Sequence, residues 1–186
     1  MHRFTLETPR LILRPLSVSD AEAAFVWLSD PEVNRFMTYP LYHDLTEVRQ
    51  WLDSVQQDDS HLIFAFVRKA DGLLIGSGGI HPHQSGAWSL GYNIRRDCWN
   101  QGYTTEAVQA ILRFARERGI ERIVAQYAKA NPASGAVMRK CGMVLDHEGE
   151  YCKMDGSEVF PALFYRLPRE EALYERASNP PLPARR

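Results

Sequence analysis

The sequence predicts an α/β domain in which about seven strands form a mixed, mostly antiparallel sheet flanked by about four helices. Three observations lead to that class. Three short β runs between residues 62 and 95 are separated by Asp71-Gly72 and Ser85-Gly86, the turn chemistry of an antiparallel meander. Residues 104–118 carry Ala107, Val108, Ile111, Leu112 and Ala115 on one helical face, and a β run at 120–127 follows directly. Two last β runs, at 143–150 and 158–167, meet across Asp155-Gly156 as a final pair.

In chain order, residues 8–16 set Leu11 and Leu13 against Ile12 and Arg14, a half-buried first strand closed by Pro15. Ser17 to Asp20 then offers side-chain oxygens to the free N–H groups of a helix running through Ala23, Phe25, Val26 and Leu28 and ending near Asp30-Pro31. Asp44 with Glu47 three residues on forms a second cap, and Val48, Trp51, Leu52 and Val55 recur at helical steps, which makes a second helix. Between the two, residues 34–43 are irregular and aromatic. Phe36, Tyr39 and Tyr42 suit either packing or a substrate-facing loop, packing being the simpler use. The meander follows at 62–68, 73–81 and 87–95, then the helix of 104–118, which Gly119 ends as a left-handed residue. Residues 132–140 form the fourth helix and Arg169 to Arg176 a candidate short one. The Pro-rich stretch 177–186 is too polar to join a core and reads as a loose tail behind a single domain of residues 1–176.

The bulk chemistry narrows the partners. With 22 basic and 23 acidic residues the net charge is −1, so no overall field draws the chain to nucleic acid or to anionic lipid, and an anionic ligand must be held locally. No apolar run approaches a membrane span and the opening residues lack a secretory core, which predicts a cytoplasmic protein. Cys98, Cys141 and Cys152 are odd in number and follow no disulfide or metal-ligand spacing, as suits a reducing compartment. His81 and His83 share a strand face but lack a third ligand, so no metal site is expected.

Two segments carry chemistry. Trp99-Asn-Gln-Gly-Tyr-Thr-Thr-Glu-Ala107 leads from a strand into the clearest helix. Gly102 lets backbone approach a bulky anion, and the first helical N–H groups, from about Gly102 to Thr105, have no partner inside the helix. Such a turn holds phosphate through oriented amides and the helix dipole, and Arg95 and Arg96 just upstream can add charge. A plain tight turn capped by Thr104 or Thr105 accounts for the same residues. The second segment is Asn131-Pro-Ala-Ser134, where Asn131 caps, Pro132 takes the first helical position and Gly142 stands past the end. Capping explains those three; the Ser134 hydroxyl, in the first turn, is free to point into a cleft.

The run Gly91-Tyr92, Trp99 to Ala107, Asn131 to Ser134 and Arg139-Lys-Cys-Gly-Met143 resembles the GNAT N-acetyltransferase superfamily. Thr8-Pro-Arg-Leu-Ile-Leu-Arg-Pro15 and Asp30-Pro-Glu-Val33 are similar to its branch of ribosomal-protein N-terminal acetyltransferases, so the resemblance covers roughly residues 6 to 168. It implies acetyl-CoA as co-substrate in an opening splayed between the fourth and fifth predicted strands, 87–95 and 121–127. The pyrophosphate would lie on the turn of Gln101, Gly102, Tyr103, Thr104 and Thr105, with Arg96 adjacent. A bulge near Asn93 and Ile94 would splay the strands, the Ile94 amide would meet the thioester oxygen, Asn131 the pantetheine or thiol region, and Ser134 the sulfur, whose thiolate it could protonate. The reaction implied is direct attack by an amine, and no cysteine falls where the family uses a nucleophile.

Two positions depart from the pattern. Asn100 replaces a common glycine, a change Asn tolerates because it accepts left-handed backbone angles. Ser89 stands where the branch often has an acidic base, which leaves Glu148, Glu150 and His81 as substitutes acting through water. A weak base favours an α-amine, which titrates near ~8, over a lysine amine near ~10.4. The expected acceptor is therefore a protein or peptide α-amine; a small-molecule amine of antibiotic or polyamine type, and a non-catalytic acyl-CoA sensor, stay open, as does the choice between monomer and homodimer.

Overall fold

The computed structural model describes residues 4–169. Its elements are β1 (Leu6–Glu7), β2 (Leu11–Pro15), α1 (Ala21–Leu28), α2 (Pro31–Asn34), α3 (Leu45–Gln57), β3 (Leu62–Arg68), β4 (Leu74–Pro82), β5 (Trp88–Ile94), α4 (Tyr103–Glu117), β6 (Ile123–Ala128), α5 (Pro132–Lys140), β7 (Val144–Cys152) and β8 (Val159–Arg166). The strands make one eight-stranded sheet in the order β1-β2-β3-β4-β5-β6-β8-β7. Every neighbouring pair is antiparallel except β5 with β6. The mixed, mostly antiparallel α/β class expected from the pattern is therefore the observed one. Beyond Arg169, the candidate helix of Arg169 to Arg176 and the tail of 177–186 lie outside the described residues.

The strand count exceeds the expected seven because the first predicted strand is a hairpin. Thr8 N donates to Leu11 O and Pro9 has no N–H to give a ladder, so the chain reverses and Leu6 comes to lie opposite Leu13. A fifth helical turn, α2, follows α1 because Asp30 accepts from Glu32 N and Pro31 takes the first helical position. At α3 the Asp44 carboxylate accepts from both Thr46 N and Glu47 N, while Glu47 reaches back to His43 N. The stop signals hold too: Gly119 and Gly142 have φ of +72° and +81°.

The sheet buries both faces. Phe64, Phe66, Ile75, Ile80 and Leu90 pack against Ala107, Val108, Ile111 and Ala115 of α4. Ala65 and Leu74, on the other face, pack under Ala24, Trp27 and Leu28 of α1 and Val48 and Leu52 of α3. Among the described residues no helix is long and apolar enough to cross a membrane.

The feature that positions the site lies at the parallel pair. β5 and β6 meet only at Trp88 opposite Ile123 and Ser89 opposite Val124, then diverge. The splay predicted between these strands is present, but the bulge predicted near Asn93 and Ile94 is not. β5 keeps unbroken register with β4 from Trp88 to Ile94, and the irregularity of that part of the sheet falls instead between Phe66 and Val67 of β3. No bulge is required, because a ladder frees its outward amides as soon as the neighbouring strand departs. Arg95 N donates to Ile75 O, so by the alternation of an antiparallel ladder the amides of Tyr92 and Ile94 point away from β4 and into the opening.

Candidate active site

The opening between β5 and β6 is a cleft of about 680 Å³. It runs through the sheet from the α4 and α5 side to the α1 and α2 side. On the first side, Gly102 precedes α4 with φ +81°, and no side chain caps the helix. Asn100, also left-handed at φ 59°, shapes the same turn, the backbone angle its side chain can tolerate. Thr104 and Thr105 are thus not the cap, and the N–H groups of the first turn of α4 remain available to a ligand. A pyrophosphate fits such a turn: it asks for uncapped amides, a backbone free of a Cβ and the positive end of a long helix.

The turn is held from behind by residues far from it along the chain. Glu106 Oε1 accepts from Thr8 Oγ1 at 2.6 Å and from Arg10 N at 2.8 Å, and its Oε2 accepts from Arg10 Nε at 2.6 Å. Arg10 Nη1 donates to Gln101 O at 2.9 Å, and the guanidinium lies 4.4 Å from the centre of the Tyr103 ring. The turn between β1 and β2 is thereby clamped to the start of α4. Burial pulls the Glu106 carboxyl upward, but the bonds from Thr8 and Arg10 prevail and hold it below its ordinary value. No periodicity signals a contact across that much sequence; the motif containing Glu106 was the sole hint.

Of the expected site residues, Ile94, Gly102, Tyr103, Thr104, Thr105, Asn131, Ser134 and His81 line the cleft. Asn131 caps α5 through Oδ1, which accepts from Ser134 N at 3.4 Å. Ser134 Oγ is 3.0 Å from Tyr92 Oη. Gln101 and Arg96 are not in the lining. The Gln101 side chain donates to Asp97 O, and Arg96 Nε lies 3.2 Å from Asp30 Oδ2 at the cap of α2, so the charge expected from Arg96 is spent on a protein carboxylate. Arg95 is similarly paired with Asp97.

Glu148 and Glu150, two of the three candidate bases, are also outside the lining, and the reason is a change of parity. β7 carries an extra residue against β8 between Leu145 and His147, so His147, Gly149 and Tyr151 oppose Phe164, Ala162 and Phe160. The stacked His147 and Phe164 rings confirm the shared face. One inserted residue turns every later side chain to the opposite face. Tyr151 consequently faces the cleft, while Glu150 is exposed and Glu148 pairs with Lys129. The third candidate, His81, sits directly across from Ser89 in the β4–β5 register. Burial, together with His61 and His83, lowers the His81 pKa below its ordinary value.

The side of the cleft toward α2 is roofed by the aromatic loop. Tyr151 Oη donates to Phe36 O at 2.7 Å, Met154 N donates to Thr38 O at 2.8 Å, and Arg35 pairs with Glu158 at 2.7 Å. Phe36 packs edge-on against Phe160. Residues 34–43 therefore serve both uses weighed for them: Phe36, Met37 and Thr38 line the cleft, whereas Tyr39 and Tyr42 pack against the α1–α3 layer. Gly91 of β5 leaves open space where a Cβ would stand. Among the lining residues Glu32 alone carries a carboxylate, and among the described residues no His, Cys, Asp and Glu side chains converge as a metal would need.

Comparison with known proteins gives the same reading. The family model of the acetyltransferase (GNAT) domain matches residues 10–144. The chain is 27% identical over 179 residues to the uncharacterized N-acetyltransferase p20 of Bacillus licheniformis, covering 90% of this chain and 98% of that one. Among solved structures, a GNAT-family acetyltransferase from Bacillus anthracis superposes with a TM-score of 0.79 at 24% identity, over 90% of this chain and 99% of the other. A proposed ribosomal-protein-serine acetyltransferase from Vibrio cholerae shares the fold with a TM-score of 0.73 at 20% identity, over 88% and 97% of the two chains. An uncapped turn with the geometry to receive phosphate, a strand pair splayed beside it and this match across most of the chain lead to one conclusion: the protein belongs to the GNAT acetyltransferase family and is an acetyl-CoA-dependent N-acetyltransferase.

Proposed function

We propose that the acceptor is an α-amino group, on a peptide or on a compact molecule with a single amine, and that His81 is the base that receives its proton. The observation that carries this reading is the chemistry of the acceptor side: one carboxylate, Glu32, one half-buried imidazole and an Arg35 already paired with Glu158, among neutral and aromatic groups. An acceptor with several ammonium groups would leave charges without partners on entering, at a cost of several kcal/mol for each buried ion. An α-amine is already partly neutral at pH 7 and brings no second charge. The fold shared with the proposed ribosomal-protein-serine acetyltransferase is in keeping with a peptide acceptor.

His81 suits the base because Ser89, which fills the usual carboxylate position, lies opposite it in register, so the imidazole overhangs the same part of the cleft. A lowered pKa keeps it neutral, and so able to accept a proton, through the physiological range. Acetyl-CoA supplies the activated acyl group as a thioester. The amides of the first turn of α4, from Gly102 to Thr105, hold its phosphates, the Ile94 amide donates to the acyl oxygen, Asn131 faces the pantetheine arm, and Ser134 donates toward the sulfur.

The test is thiol release from acetyl-CoA with peptides bearing a free N-terminus, the same peptides N-terminally blocked but carrying lysine, single-amine small molecules, and spermidine. Free N-termini or single amines should be turned over at least about tenfold better, as kcat/KM, than the blocked lysine peptides, a modest part of the difference in amine pKa. Preference for spermidine or for the lysine side chain would refute the acceptor class. Replacement of His81 by Gln should remove an acid limb of kcat below pH ~6.5, the ordinary histidine value; a kcat profile that keeps this limb in His81→Gln would exclude His81 as the base.

A further inference from the structure

We propose that Tyr92 is a positioning residue for Ser134: its phenol fixes the serine hydroxyl in the orientation from which it donates toward the departing sulfur. The inference rests on the role given to Ser134 above and adds a residue outside the phosphate-binding and capping motifs. Tyr92 projects from β5 and Ser134 from the first turn of α5, so their contact spans the splayed opening. Tyr92 Oη lies 2.9 Å from Ser134 O, to which it donates, and 3.0 Å from Ser134 Oγ.

The phenol has one proton and two neighbouring oxygens that accept it. Given to the Ser134 carbonyl, the proton pins the first turn of α5 against β5. Shared with Oγ, it fills one lone pair of the hydroxyl and leaves the serine proton to point into the cleft. In the second arrangement the bond to Oγ strengthens as that oxygen gives up part of its own proton to the sulfur, since a donor is worth more beside a developing charge. Tyr92 transfers no proton. Burial raises its pKa far above the ordinary phenol value, so it stays a donor.

Packing holds both partners in place. Gly78 stands opposite Tyr92, and a Cβ there would come within 2.8 Å of the Tyr92 Cβ. Gly135, next to Ser134, lies so close to β6 that a Cβ would meet the Tyr127 ring at 2.2 Å. The two glycines let the ring and the helix turn settle flush, which sets the separation of Oη and Oγ by backbone position rather than by side-chain choice.

The test is a cycle of Tyr92→Phe, Ser134→Ala and the double variant, measured by steady-state kinetics and thermal melting. Tyr92→Phe should lower kcat about fivefold to tenfold, the worth of one hydrogen bond, with the KM for acetyl-CoA within about twofold. The double variant should be no slower than Ser134→Ala alone, because the phenol then has no hydroxyl to orient. Multiplying losses would overturn the proposal, as would a Tyr92→Phe variant with normal kcat. A Ser134→Ala variant with normal kcat would remove the role of Ser134, and this inference with it, while leaving the acceptor assignment intact. If Tyr92→Phe melts much lower than the parent, fluorotyrosine in place of Tyr92 keeps the shape and changes only the donor. An unchanged kcat in that protein would sink the idea.

Discussion

Replacing Glu106 by Ala should destabilise the protein and loosen its hold on acetyl-CoA without greatly slowing the acyl transfer itself. The carboxylate accepts three hydrogen bonds, from Thr8 Oγ1, Arg10 N and Arg10 Nε. Thr8 Oγ1 keeps an alternative acceptor in Leu11 O, and the Arg10 side chain is 46% exposed, so neither loss strands a deeply buried donor. Each hydrogen bond from Thr8 and the Arg10 amide is then worth about 0.5–1.5 kcal/mol and the half-exposed ion pair about 0.2–1 kcal/mol. A total near ~2.5 kcal/mol follows, which for a chain of this size is a fall in Tm of roughly 5–10 °C. The functional effect comes through Arg10. Without Glu106 the guanidinium keeps only Gln101 O and the face of Tyr103 as anchors, so the turn proposed to hold the phosphates gains freedom. The KM for acetyl-CoA should rise about fivefold, roughly 1 kcal/mol of lost preorganisation, with kcat within about twofold. Denaturant titration and steady-state kinetics on the same preparation read both. A loss of stability below ~0.5 kcal/mol, or a fall in kcat at constant KM, would show that the clamp does not do what its geometry suggests.

Gly102→Val should raise the KM for acetyl-CoA by about tenfold or more, because a β-branched residue resists φ +81° and its Cβ would stand 3.4 Å from Arg10 Nη2; unchanged affinity by calorimetry would take the turn out of the cofactor site. Asp20 should contribute to acid sensitivity: burial raises its pKa, but the two-pronged bond from Arg14 and the amide of Ser17 outweigh that and leave the folded value depressed. Its contribution, about 1–3 kcal/mol, is therefore present above the unfolded value near ~3.9 and is lost as pH falls through the folded one, so Asp20→Asn should flatten stability against pH below ~4 in urea titrations. Gly135→Ala should lower kcat more than it lowers Tm, since the added methyl pushes the first turn of α5 off Tyr127 and carries Ser134 with it; a purely thermal effect would contradict that coupling.

Much of the fold could be read from local chemistry. The three strands of the meander, the Gly119 and Gly142 stops and the Asp44 and Asn131 caps depend on residues a few positions apart, and each is where the pattern put it. The uncapped turn proposed for the cofactor was legible for the same reason, because Gly102 and the amides behind it form one continuous segment. What escaped depends on register or on distance along the chain. The inserted residue in β7 has no local signature, yet it decides that Tyr151 and not Glu150 enters the cleft. Glu106 meets Thr8 and Arg10 only because β1 and β2 fold back beside α4. Arg96 had the right charge near the right turn, but α2, a helical turn beyond the predicted end of α1, supplies Asp30 to occupy it.

These misses have a common physical form that bears on the catalytic proposal. Around the cleft, many charged residues are paired with one another: Arg10 with Glu106, Arg95 with Asp97, Arg96 with Asp30, Arg35 with Glu158, Lys129 with Glu148. What lines the cleft is mostly backbone amide, hydroxyl, phenol and one imidazole, with Glu32 its one carboxylate and Arg35 and Lys140 its cations. Such a site binds an anionic cofactor by fixed dipoles, which need no counter-charge and cost little reorganisation when the acyl oxygen gathers charge. With His81 as the proposed base, it is poorly suited to drawing a proton from a strongly basic amine, because that imidazole has a lowered pKa. The proposed acceptor accordingly arrives largely deprotonated or loses its proton readily, which is the reason the proposal confines it to amines of modest basicity.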